Sequence, residues 1–304
     1  MPNTFTSNLT TKFMLITLRG KSVTKSTTSY KAAAEALYQT FGTDALIASK
    51  KIYPRGFDQS YKTLCQAYKS VRTFFDQQTA PYGDGSQRGV PRLILLDSIA
   101  DGSFMRGLER LLGVLDTARL NFADDLETLP SRIEASGSLG SAFNAQDYPT
   151  PDQIRNGFQY TIEGPTPLTD PSLVSLLPLP QGMAAVIQES LVRDLNDKIH
   201  CSQQRLLNDL LTESKALTDA IVRAAQWDGK GRKPPIRDAL KRNLMTTLAQ
   251  GETYALPDTP EGQQLMETIS KIKQNLITIK IDCVKSSTHY AQQAAQQAQE
   301  AITC

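Results

Sequence analysis

The sequence predicts a mainly α-helical chain, with long antiparallel coiled-coil-like helices and a small β element near the N-terminus. Three observations carry this. Gln181 to Trp227 runs for 47 residues without a proline and, after Gly182, without a glycine. Its apolar residues pair as Leu195/Ile199, Leu206/Leu210 and Leu217/Ile221, each pair four apart and eleven from the next. Eleven residues in three turns, ~3.67 per turn, keep one stripe on one face of a nearly straight helix, and at ~1.5 Å per residue such a rod is roughly 60 to 70 Å long. A second stripe runs through Leu265, Ile269, Ile272, Leu276, Ile279, Cys283, Ser286 and Tyr290 at 4, 3 spacing after a helix start at Thr259-Pro260-Glu261, predicting a second rod from Thr259 to Cys304 packed on the first. The strand-like runs, by contrast, are short and lie before residue 166.

Composition sets the bounds. With 40% apolar and 21% charged residues the chain can bury a core and is not disordered as a whole. It holds no apolar run of membrane-spanning length, and Met1 to Thr11 lacks the basic and apolar regions of a secretory signal, so a cytoplasmic chain is expected, with no membrane partner. Four scattered cysteines and two histidines offer no clustered metal ligands; His200 and Cys201 are adjacent, but neighbours on a helix point about 100° apart. No metal and no cofactor are expected. The net charge of +2 conceals an asymmetry: +8 over residues 1–72, −7 over 73–180 and +1 over 181–304. These blocks can pair within the chain, between copies or with a polyanion.

Taken in order, Phe13 to Leu18 is a short apolar run closed by Gly20 and reads as a strand. Gly20-Lys21-Ser22 looks like the tail of a phosphate loop, but that pattern needs glycine where Leu15 stands. Tyr30, Ala34, Leu37 and Phe41 mark a short amphipathic helix ended by Gly42. Ala45 to Tyr53 reads as extended chain stopped by Pro54, able to pair with Phe13 to Leu18. Phe57, Tyr61, Leu64, Tyr68, Val71 and Phe75 form a heptad-like stripe, and Phe104, Leu108, Leu111, Leu115, Ala118, Phe122 and Leu126 repeat it, which predicts an antiparallel hairpin over about 57–128. Aromatic residues among Lys62, Lys69 and Arg72 also suit base stacking, but helical spacing favours core packing. Between the two stripes, Leu93 to Leu96 fits either a strand or a helix. Pro130 to Pro149 reads as loop. Thr150-Pro151-Asp152-Gln153 is a capping box opening a brief helix, and Phe158, Tyr160 and Ile162 alternate as a half-buried strand stopped by Gly164-Pro165. Prolines between 165 and 180 mark the domain junction, leaving an N-terminal α+β region 1–165, a Pro-rich junction 166–180 and a long-helix region 181–304.

The chemistry in the sequence is sparse. No nucleophile, metalloprotease, Walker or dinucleotide motif is present, and Asp124-Asp125 reads as the solvated face of a helix, so no enzyme is expected. One basic cluster stands out: Lys230, Arg232, Lys233, Arg237, Lys241 and Arg242 on a glycine-flanked loop and the helix after it can follow a phosphate backbone, or simply solubilise a turn.

The order of a strand ending in Gly20-Lys21, an extended Ser49-Lys50-Lys51, a helix to Phe75, Arg88-Gly89-Val90-Pro91, an amphipathic helix through Phe122 and Pro151 with Phe158 before a helical half resembles a family of phage- and plasmid-encoded proteins of unknown function. Its genes lie beside a MoxR-type AAA+ ATPase similar to CobS and often a von Willebrand A protein similar to CobT. The resemblance covers roughly residues 10 to 225. It implies a non-enzymatic companion of such an ATPase and carries over no catalytic residue. The expectation is therefore an interaction, adaptor or assembly protein that binds a protein partner or itself, with nucleic-acid binding through the basic cluster as the alternative.

Overall fold

The computed structural model describes residues 9, 11–22, 27–29, 49–83, 89–169, 171–176, 182–227 and 234–302. The expected helix from Tyr30 to Phe41 lies outside them. In chain order the elements are β1 (Phe13–Lys21), β2 (Thr27–Ser29), β3 (Ser49–Lys51), α1 (Gln59–Gln78), β4 (Ala80–Pro81), β5 (Arg92–Leu95), α2 (Leu96–Ala100), α3 (Ser103–Leu126), α4 (Leu129–Ala135), α5 (Pro151–Arg155), β6 (Gln159–Pro167), α6 (Met183–Ala225), α7 (Asp238–Tyr254), α8 (Pro260–Ile272), α9 (Ile281–Ser286) and α10 (Thr288–Ile302). About 70% of the described residues are helical, beside a small antiparallel sheet, which is the mainly α class with a minor β part.

The sheet has the order β4-β5-β1-β6. Phe13 pairs with Leu95 and Ile16 with Arg92, so the stretch at Leu93 that fitted either structure is a strand for four residues before it turns into α2. β3 pairs with β2, not with β1 as expected, while residues 45–48 of the expected extended stretch lie outside the described residues. Gly164-Pro165 does not stop β6, which runs on to Pro167 at the sheet's edge, where proline costs no ladder bond. The region expected as loop after Pro130 begins with α4, which buries Leu129 and Ile133, before short 3-10 turns follow.

The compact units do not follow a single cut along the chain. One unit takes 1–17, 76–101 and 164–304, the other 18–75 and 102–163. In the second unit α1 and α3 form the expected antiparallel hairpin: Tyr61 meets Phe122 at 5.6 Å between ring centroids, and Phe75 meets Phe104 at 6.2 Å. Leu64, Val71, Phe75, Phe104, Leu108, Leu115 and Phe122 are buried, while Phe57, Tyr61 and Tyr68 of the first stripe are half-buried. The short α5 opens with both arms of its capping box made, the Thr150 hydroxyl accepting from Gln153 and the Gln153 side chain from Thr150.

In the first unit α6 is one unbroken helix of 43 residues. Leu195, Ile199, Leu206, Leu210, Leu217 and Ile221 are all buried, with α7, α8 and α10 packed along the helix. Ile269, Ile272, Leu276 and Ile279 are buried in the same core. The second rod, however, is not continuous. α8 passes into one π-helical stretch, Lys273–Ile277, leaves helix at 278–280, and re-forms as α9 and then α10. Here Ile277-Thr278-Ile279-Lys280-Ile281 alternates β-branched with polar residues; Ile279 and Ile281 are both buried, an alternation that no straight helix can bury on one face. After the break α10 seats a face of alanines, Ala291, Ala294, Ala298 and Ala301, and packs on α6, where the Thr218 hydroxyl donates to the Ala298 carbonyl at 3.4 Å.

Candidate functional site

The long helix is buried unevenly. From Leu195 onward its stripe is covered, but none of the residues from Met183 to Asp194 is buried, although seven of them are apolar: Met183, Ala184, Ala185, Val186, Ile187, Leu191 and Val192. Met183 is 48% and Val186 68% exposed. Polar groups on this arm satisfy each other, Arg193 with Glu189 at 3.2 Å and Lys198 with Asp194 at 2.6 Å. What the arm offers is an apolar helical surface with a charged base. Just beyond it, Lys198 lies over the Tyr82 ring at 5.4 Å, and its pKa is raised, chiefly by the hydrogen bond to Asp194.

The basic cluster is only partly assembled among the described residues. Lys230, Arg232 and Lys233 lie outside them. Arg237 and Arg242 are exposed at the start of α7. Lys241, counted with them from sequence, is occupied: its ammonium donates to the carbonyls of Ile277 and Ile279 at 3.0 and 3.1 Å, satisfying backbone left open where the π-helical stretch ends. Asp238 pairs with Lys285 at 2.7 Å, which lowers the Asp238 pKa.

A concave site that sequence reasoning did not find lies in the second unit. A cleft of about 360 Å³ is lined by Phe57, Ser60, Asn121, Asp125, Leu129 and Arg132, among others. Ser60 donates to Asp125 at 2.5 Å, and Arg132 donates to the other oxygen of the same carboxylate. Asp125 is thus not the free solvated residue it resembles in the sequence; its partner Ser60 stands 65 residues away, and no local spacing could have signalled it. The cleft has no histidine or cysteine in its lining, and its carboxylate is neutralised by arginine, so it holds no assembled acid/base pair. Nearby, Arg155 binds Asp124, Glu127 and Asp152 at 3.0 to 3.3 Å, which raises its pKa.

The opposite charge blocks meet inside this unit as well, through Arg19 and Glu163 at 2.9 Å. His200 Nδ1 lies 2.9 Å from Glu261, linking α6 to the first turn of α8. Among the described residues no group of three or more metal-ligating side chains is assembled, and no helix is long and apolar enough to cross a membrane. No family model, no curated protein and no solved structure matches this chain.

Proposed function

We propose that the chain is a non-enzymatic interaction protein, an adaptor or assembly factor, which engages a protein partner through the apolar arm of α6. The observation behind this is the arm itself: three helical turns rich in apolar side chains, of which Met183, Ala185 and Val186 are exposed, Val186 to 68%, and Ile187, Leu191 and Val192 are only half-buried among the described residues. Clustered apolar surface of this kind on a helix is the usual mark of a protein contact. By its resemblance to phage and mobile-element proteins, the partner is a MoxR-type AAA+ ATPase or further copies of the chain. Co-purification with an ATPase of that class, together with sedimentation of the chain alone, tests both. Wild type is expected to form one of the two complexes and the double variant Met183→Glu, Val186→Glu to lose it; a wild type that stays monomeric and ATPase-free, or a variant that binds unchanged, removes the proposal.

A second reading rests on the exposure of Arg237 and Arg242 beside the basic loop. With Lys241 occupied, about five phosphates at most are neutralised, and a log-log salt slope of about −4 to −5 is expected on B-DNA. Binding to labelled DNA that ignores salt, or that survives removal of both arginines and the loop cations, dismisses it.

A further inference from the structure

We propose that Asn156-Gly157 is a self-modifying site, an asparagine that deamidates through a succinimide at a rate set by opening of the last turn of α5. It is the one Asn-Gly pair in the sequence. Asn156 is exposed and Gly157, lacking a Cβ, puts no steric bar on attack by its own backbone nitrogen. In the reaction the Gly157 nitrogen gives its proton to water or hydroxide and bonds to the Asn156 side-chain carbonyl carbon. The side-chain nitrogen takes a proton and leaves as ammonia. Water then opens the ring at either carbonyl, leaving aspartate, or isoaspartate in which the chain runs through the former side chain.

The fold holds every atom of this reaction away from it. The Gly157 N–H, whose nitrogen is the nucleophile, donates to Ile154 at 3.0 Å. The leaving nitrogen, Asn156 Nδ2, donates to the Asp152 carbonyl at 3.0 Å, an oxygen the Asn156 backbone N–H also uses at 3.0 Å. Asn156 itself sits at φ −98° and ψ 0°, a turn conformation that directs the next nitrogen away from its own side chain. These bonds belong to a helix of five residues whose other end is the Thr150/Gln153 capping box, so one opening event releases all of them. The product has somewhere to act. A new carboxylate would add a negative charge one residue from Arg155, which already binds Asp124, Glu127 and Asp152. An isoaspartate would lengthen the backbone next to Phe158, which is buried at φ +48° with its ring edge-on to Tyr68 at 5.5 Å.

The test is peptide mapping of the full chain incubated at mildly alkaline pH, scoring deamidated and isoaspartyl forms at residue 156. The native protein is expected to modify about tenfold or more slowly than the same chain in urea. Thr150→Ala is expected to raise the native rate several-fold while leaving the rate in urea unchanged. In wild type at rising sub-denaturing urea, amide exchange at Gly157 and deamidation at Asn156 are expected to climb together, a measurement that does not depend on the variant folding. Equal native and unfolded rates, exchange and deamidation that part company, or no modification at 156 in either state overturns the inference.

Discussion

A methyl group at Gly20 would sit 2.3 Å from the Tyr68 hydroxyl and 2.6 Å from the Tyr160 ring. Those rings stack at 4.4 Å, and the Tyr160 hydroxyl donates to the Tyr68 carbonyl at 3.0 Å, so neither yields without losing a contact. Gly20→Ala is expected to cost about 1–3 kcal/mol in denaturant unfolding. The sequence could exclude a phosphate loop at Gly20-Lys21-Ser22, but not supply the reason for the glycine, because Tyr68 and Tyr160 reach it only through the fold. Gln203 is a similar case: fully buried in α6, it donates to the Tyr254 carbonyl and accepts from the Leu256 N–H, both at 3.1 Å. Gln203→Ala strands two buried backbone groups and should destabilise by about 2–4 kcal/mol, more than a simple loss of side-chain volume. Asp58 is buried between Lys62 at 2.7 Å and Lys51 at 3.3 Å, and its pKa is lowered, the Lys62 hydrogen bond being the largest cause. A depressed carboxyl pKa adds stability that is complete above the unfolded value of ~3.9 and vanishes as pH falls through the folded value. Asp58→Asn should therefore flatten the acid limb of a stability-against-pH curve below about pH 4 and also lower its plateau.

Helical glycines separate what periodicity conveys from what packing adds. Gly113 in α3 faces open space, and Gly113→Ala is expected to stabilise by about 0.5–1 kcal/mol, the ordinary helix gain. Gly262 in the first turn of α8 looks equivalent in the sequence, yet a Cβ there would fall 1.9 Å from the Leu256 carbonyl oxygen, so Gly262→Ala is expected to destabilise. Thermal melts of the two variants should move in opposite directions. The same division runs through the long elements. The hairpin of α1 and α3, the capping box at Thr150 and the whole length of α6 were legible, because each is fixed by local spacing and by the absence of breakers. The fracture of the second rod was not, since 4, 3 spacing persists through Ile279 and Cys283 while the backbone leaves helix at 278–280. The close seat of the α10 alanines on α6 makes Ala294→Leu an overpacking change worth about 1–3 kcal/mol.

At the level of the molecule, what spacing alone could not convey is the return of the N-terminal strand to the C-terminal helices. Phe13, Ala80 and Leu93 share one core with Leu206, Tyr254 and Leu265. A fragment of residues 181–304, cut at the proline-rich stretch, lacks the first three of these. It is expected to keep much of its helix by far-ultraviolet circular dichroism yet bind a hydrophobic dye and lose its near-ultraviolet signal; a fragment that melts as cooperatively as the full chain contradicts this. The pairing of Phe13 with Tyr254, whose rings stack at 5.8 Å, also has a bearing on the chain's birth. About 240 residues separate the two. At ~5–20 residues per second a ribosome needs on the order of 10–50 s to make them. β5 can pair with β1 once Leu95 is made, but Phe13 then waits for most of the remaining synthesis before Tyr254 arrives to cover its ring.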